Sequence, residues 1–210
     1  MRTTIRTILL TAFWIVLASA LNSEASTLCV DAATSQFKIR VGSAGLFSAF
    51  GHEHLIQVQG IKGCAEIEWT QLERSSVSLT FAAKDIRVLD PDHPNDKAKV
   101  QETMETEVLR TKEFPEIQFK SSRVRETPSK TSSGDRHELM VEGSLTIRGR
   151  TQNVSLPLVI QKSSSNGAKV TGRYVLKQSA FGITPVKVMG GTVRVKDEIT
   201  IEFELQLKEQ

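Results

Sequence analysis

The chain has 210 residues, 39% hydrophobic, 6% aromatic and 24% charged, with 27 Lys+Arg against 24 Asp+Glu. That balance excludes disordered, collagen-like and polytopic membrane classes. Neither sign of charge dominates, and no Lys/Arg run is interleaved with aromatic residues, so nucleic acid is excluded as a partner.

At the start, Arg2 and Arg6 precede a 14-residue apolar run over 8–21, and Ala18-Ser19-Ala20 and Ser23-Glu24-Ala25 offer small-residue cleavage sites. This is the pattern of a secretory signal peptide over residues 1–25. The run falls short of the roughly 20 residues that a hydrocarbon core about 30 Å thick requires, so it is expected to be removed rather than kept as an anchor. What remains, residues 26–210, reads as one exported domain with no transmembrane segment, destined for a periplasm. The chain has two cysteines, Cys29 and Cys64, both in the exported part. In an oxidising compartment they are expected to pair as a disulfide. The rival reading, lipid modification of Cys29, needs small residues immediately before it, where Ser26-Thr27-Leu28 stand.

From about residue 35 onward apolar and polar residues alternate, the period-two signal of strands with one dry and one wet face. The stretches are Phe37-Lys38-Ile39-Arg40-Val41, Ile56-Gln57-Val58, Ala65-Glu66-Ile67-Glu68-Trp69 and Val77-Ser78-Leu79-Thr80-Phe81. They continue in Ile117-Gln118-Phe119-Lys120, Leu139-Met140-Val141-Glu142, Val154-Ser155-Leu156-Pro157-Leu158 and Tyr174-Val175-Leu176-Lys177. Near the C-terminus Val193, Val195, Ile199, Ile201, Phe203, Leu205 and Leu207 share one parity, broken at Asp197, as a strand or a bent strand pair. Gly149 and Ser163-Ser164-Ser165-Asn166-Gly167 mark tight reversals, which make the neighbouring strands antiparallel. One segment differs: Ala98, Val100, Met104, Val108 and Leu109 lie at helical spacing. The expectation is a helix over residues 96–110, capped by Asn95 and ended before Phe114-Pro115. Residues 125–136 read as an exposed loop.

Eight or so such strands make an all-β domain that either stacks as a sandwich or closes into an antiparallel barrel, and closure removes exposed edges. A barrel of this size is either filled by its own side chains or holds one small ligand.

The phrases Val30-Asp31-Ala32-Ala33-Thr34-Ser35-Gln36-Phe37, Phe50-Gly51-His52-Glu53-His54, Glu113-Phe114-Pro115-Glu116-Ile117-Gln118-Phe119-Lys120-Ser121-Ser122, Val141-Glu142-Gly143-Ser144-Leu145-Thr146-Ile147-Arg148-Gly149-Arg150-Thr151 and Gln178-Ser179-Ala180-Phe181-Gly182-Ile183 occur in this order between about residues 28 and 208. Together they resemble the YceI-like family, mostly bacterial and often periplasmic proteins regarded as lipid or polyisoprenoid binders. The chain departs from the commoner pattern at Thr34, where many members carry a histidine, and its Gly-His-Glu-His phrase looks like a subgroup feature. The resemblance implies a lipocalin-like barrel with a long apolar chain lengthwise inside and the helix at one end. The implied partner is a long-chain isoprenoid or similar amphiphilic lipid.

Holding such a chain needs no catalytic motif. At about 0.3 kcal/mol per heavy atom, a roughly 40-carbon chain reaches about 12 kcal/mol, which is nanomolar binding. The candidate lining is Phe37, Ile39, Val58, Leu79, Phe81, Phe119, Val141, Ile147, Leu156, Leu158, Tyr174, Leu176, Phe181 and Phe203. Alternation alone allows these side chains to fill a solid barrel; the resemblance favours a hollow one. The Tyr174 hydroxyl, on the apolar parity, needs either a backbone partner or a ligand head group. His52 and His54 share parity with Ile56 and Val58 and are candidates for head-group hydrogen bonding, for loop-locking contacts, or for a zinc or copper ion with His93 or His137. No third metal ligand is fixed, and no cofactor motif is present.

Other classes stay open. Ser43, Ser48 and Glu53 lie near the two histidines, yet no nucleophile elbow, phosphate loop or His-Glu-x-x-His helix appears, so a non-enzyme is expected and ester hydrolysis is the minor alternative. A ligand-free, stress-related barrel is another. Whether two copies associate is not specified.

Overall fold

A computed structural model describes residues 25–44, 53–91, 93–127, 134–163 and 166–209. Residues 1–24, with nearly all of the expected signal peptide, and His52 and Ser48 lie outside them.

In chain order the strands are β1 (Ser26–Val30), β2 (Gln36–Val41), β3 (Ser43–Ala44), β4 (His54–Val58), β5 (Lys62–Ile67), β6 (Ser76–Ala82) and β7 (Ile86–Val88), followed by the helix α1 (Pro94–Thr103). Then come β8 (Glu116–Glu126), β9 (Arg136–Ile147), β10 (Arg150–Lys162), β11 (Ala168–Lys177), β12 (Lys187–Val188), β13 (Val193–Val195) and β14 (Glu198–Lys208). Eight of them close into an antiparallel barrel in the order β1-β5-β6-β8-β9-β10-β11-β14, sealed by pairing of β1 with β14 through Cys29↔Lys208 and Val30↔Leu207. The expected barrel is therefore present, with longer strands than the quoted stretches. The seal is short. Toward the other end of β14 its edge pairs instead with β2, which carries β4 and β7 as a flap.

Local chemistry explains the reversals. Arg148 and Gly149, both with positive φ (51° and 68°), form the two-residue turn between β9 and β10, whose backbone twist matches that of the strands. Gly172 faces Phe203 in the register of β11 and β14; a Cβ there would stand 2.3 Å from the Phe203 ring, so only glycine lets that ring lie flat on the wall. Asp197, where the parity breaks, separates β13 from β14. Its carboxylate accepts from the Ser179 hydroxyl (2.6 Å) and N–H (2.7 Å), and these two bonds hold its pKa below the ordinary carboxylate value. A lowered carboxylate pKa means this clasp is present above the unfolded pKa and lost as acid protonates it.

The helix departs from expectation at both ends. Pro94 occupies the first turn, where its missing N–H costs nothing, so the N-cap is His93 rather than Asn95. After Thr103 the chain widens into a π turn, Met104–Val108, before Arg110 with positive φ ends it. The helix also shields an edge. The Val88 N–H donates to Gln101 Oε1 (2.8 Å) and Gln101 Nε2 donates to the Ile86 carbonyl (2.9 Å), so one side-chain amide takes the place of a further strand on β7. The stretch 125–136 is shorter as a loop than expected, since β8 runs to Glu126 and β9 starts at Arg136.

Cys29 and Cys64 face each other in the β1–β5 register and form the disulfide, closing a separation of 35 residues. It lies beside the two-pair seal, the shortest junction in the barrel. Closing a loop of this length constrains the unfolded chain by about 4 kcal/mol in the chain-entropy model. Reduction, or Cys29→Ala with Cys64→Ala, is therefore expected to lower the denaturant midpoint by the equivalent of about 3–4 kcal/mol, measured by urea unfolding with and without reductant. An unchanged midpoint would contradict it.

Candidate functional site

The barrel is hollow. A cavity of about 700 Å³ runs through it, walled on nearly all sides by apolar side chains from both the barrel and the β2–β4–β7 flap. Phe37, Ile39, Leu79, Leu156, Leu158, Tyr174 and Phe203 point inward yet keep accessible surface, because they face this space rather than one another. In a solid core such residues would touch opposing side chains over their whole surface.

Of the candidate residues, Phe37, Ile39, Val58, Leu79, Phe81, Phe119, Val141, Ile147, Leu156, Leu158, Tyr174, Leu176 and Phe203 stand in the wall, as does His54. Phe37 stacks on Phe203 (centroids 5.8 Å apart) and meets Phe81 edge-on (5.3 Å), an aromatic group that links the flap to β6. Phe181 is the exception. It sits in the 3₁₀ turn Gln178–Phe181, where strand parity no longer applies, and is buried outside the cavity in one cluster with Ile147, Leu176 and Ile183, which themselves reach the wall. Among the described residues no group hydrogen-bonds the Tyr174 hydroxyl, which leaves it to the cavity.

The wall carries most of its polar residues, and all of its charged ones, at one end. Ser43, His54, Asp96, Lys99, Thr103, Gln178 and Arg194 belong to the end crossed by α1 and by the small sheet β12-β13-β3; the far end contributes Ser75 and Ser76. Asp96, Lys99, Val100, Thr103, Met104 and Val108 recur at steps of three and four, so one face of α1 and its π turn covers that end. The face grades from charged near its start to apolar near its finish; of the residues expected at helical spacing, Val100, Met104, Val108 and Leu109 reach the wall and Ala98 does not.

His54 opens β4. Its Nδ1 lies 2.6 Å from Asp90 Oδ2, while Asp90 Oδ1 accepts the Leu55 N–H at 2.8 Å. The Asp90 side chain is 0% exposed and stays outside the cavity; the His54 side chain is 20% exposed and contributes to the wall. A buried carboxylate thus fixes the imidazole. His54 is committed to Asp90, His137 pairs with Glu126 across β8 and β9, and among the described residues no group of three or more His, Cys, Asp or Glu is placed to hold a metal. His52, the other half of the expected pair, lies outside the described residues.

The model of the YceI-like domain matches residues 29–207.

The chain belongs to the YceI-like family.

Among solved structures, BcnA of Burkholderia cenocepacia is 19% identical with a TM-score of 0.64, over 84% of this chain and 98% of that one. A polyisoprenoid-binding domain from Saccharophagus degradans, implicated in plant cell wall breakdown, is 11% identical with a TM-score of 0.60, over 89% and 99%. A YceI protein of Campylobacter jejuni is 12% identical with a TM-score of 0.54, over 74% and 85%. At these identities the likeness carries the YceI-like barrel fold. No curated protein sequence matches the chain. The YceI-like phrases of the sequence fall on the start of β8, on the β9–β10 hairpin and on the 3₁₀ turn beneath the polar end.

Proposed function

We propose that this protein is an exported, periplasmic carrier that holds a long-chain polyisoprenoid or similar amphiphilic lipid noncovalently in the barrel, tail inward and head at the α1 end. The observation that carries this reading is the apolar cavity of about 700 Å³ with polar groups gathered at one end. A structural neighbour that is a polyisoprenoid-binding domain supports it, and the pattern of residues 1–25 supports export. The role needs binding rather than catalysis.

Volume sets the chain length. At about 30 Å³ per water-sized group, the cavity takes roughly 20 carbons, so a roughly 40-carbon chain would leave about half its length outside. Twenty buried carbons at about 0.3 kcal/mol each give about 6 kcal/mol, tens of micromolar. The upper bound of about 0.8 kcal/mol per methylene would give about 16 kcal/mol before ordering costs.

The test is mass spectrometry of an organic extract of the natively purified protein. A chain lipid near one equivalent per protein is expected. A clean extract, together with failure of the protein to take up geranylgeraniol or oleyl alcohol, would leave a ligand-free barrel.

A further inference from the structure

We propose that α1 and its π turn, residues 94–108, form a gate in the side of the barrel, latched by Gln101, through which the apolar tail enters and leaves. This rests on the carrier reading and adds the route of exchange to it.

The wall has a gap at this place. Elsewhere neighbouring strands are joined by backbone ladders, as between β9 and β10 from Arg150↔Ile147 to Gln161↔Arg136. β7 pairs with β4 on one edge only, because β8, the neighbour of β6, begins at Glu116 opposite Ala82. Past the Ala83 N–H, which donates to the Pro115 carbonyl (2.8 Å), no strand lies on the other edge of Ile86–Val88 among the described residues. The helix and its π turn fill that place. A widened turn of this kind inside a helix recurs at functional sites.

The filling is lightly held. Its docking on β7 consists of the two Gln101 bonds, to the Val88 N–H and the Ile86 carbonyl, and of the exposed Arg87–Glu105 pair at 3.7 Å. Exposed pairs at such a distance contribute little. No residue of α1 is buried, and over residues 94–108 only Met104 is. A segment with so few buried apolar contacts opens locally at a small fraction of the cost of unfolding the barrel strands.

Its two ends, by contrast, are fixed. At the entry Asp90 is 3% exposed; its carboxylate holds His54 and the Leu55 N–H, and its carbonyl accepts the His93 N–H (3.1 Å). At the exit Arg110 pairs with Glu113 and lies over the Phe114 ring, 5.6 Å from its centroid. A span between firm posts swings out and returns to the same seat. Its inner side chains Val100, Met104 and Val108 belong to the cavity wall, so lifting it opens the channel directly. The Val88 N–H and Ile86 carbonyl then meet water, and no polar group is left buried without a partner.

Stopped-flow exchange of the fluorescent chain cis-parinaric acid on the delipidated protein tests the gate. Gln101→Met keeps the length of the side chain and supplies neither docking bond. Uptake and release rates are expected to rise together by about 10-fold, with the equilibrium affinity kept within about twofold, because only the open population changes. In a second variant Arg87→Cys and Glu105→Cys are joined by a short bismaleimide. Cys29 and Cys64 are held in the disulfide, so the reagent finds no other thiol. Uptake is expected to slow at least about 10-fold against the same variant before joining, while the protein still melts cooperatively. Unchanged uptake after joining would overturn the gate and leave the carrier standing, as would Gln101→Met rates equal to those of the unmodified protein. A Gln101→Met affinity that falls while uptake stays the same would also overturn it, by placing Gln101 in the binding wall. Binding of neither parinaric acid nor geranylgeraniol by the unmodified protein would remove the carrier reading and the gate with it.

Discussion

Phe81→Asp is expected to leave no folded protein at 25 °C. Phe81 is 6% exposed, lies in the β6 register opposite Ile117 of β8, and meets the Phe37 ring edge-on. Deleting a buried phenylalanine side chain costs about 3–5 kcal/mol. Leaving a buried carboxylate there without a partner adds several more. Domains of this size are stable by about 5–15 kcal/mol, so the sum approaches the whole. The loss is also not local, since the Phe37–Phe81 contact ties the flap to the barrel where β14 has exchanged β1 for β2 as its neighbour. Circular dichroism against temperature is the measurement. A cooperative melt within a few degrees of the unmodified protein would show that the flap does not depend on this contact.

The barrel was legible because period two survives any closure: an inward side chain on β2, β6, β8, β9, β10 or β14 keeps its parity however the sheet curls. That is why spacing alone puts Phe37, Leu79, Phe119, Val141, Leu156 and Phe203 on the inner wall. Parity is silent on three matters. It does not distinguish a filled interior from a hollow one, since both need the same inward apolar row; the accessible surface retained by Leu156, Leu158 and Phe203 decided that. It fails where the chain leaves the strand, as at Phe181 in its 3₁₀ turn. And it assigns polar residues to solvent, so Arg194, on the wet parity, looked like surface until β12, β13 and β3 formed a small sheet at the cavity mouth. Asp90 was missed for a related reason. In Leu89-Asp90-Pro91 an aspartate reads as turn chemistry, and only the folded register brings it under His54. The helix was legible from Val100, Met104 and Val108, but Gln101, which closes the β7 edge, carries no signal of that role in spacing alone.

Leu156→Asp separates folding from binding. Leu156 lies opposite Val141 in the β9–β10 register and is only partly buried, because its side chain faces the empty channel. In the unliganded protein the new carboxylate faces open cavity rather than packed side chains, so it can be hydrated there, and the long ladder between β9 and β10 is untouched. The variant is expected to fold with a loss of about 1–3 kcal/mol, within the ordinary range for a wall residue. A lipid tail changes the balance, because it must either expel the water around that charge or stop short of it. Desolvating an unpaired carboxylate costs several kcal/mol, and about 3 kcal/mol already corresponds to roughly a hundredfold in affinity. Geranylgeraniol binding is therefore expected to weaken at least about a hundredfold in a protein that still melts cooperatively. Leu156→Met, similar in volume and apolar, should bind nearly as the unmodified protein does. Full affinity in a folded Leu156→Asp variant would place the tail elsewhere, since no apolar chain lying along β9 and β10 can avoid residue 156.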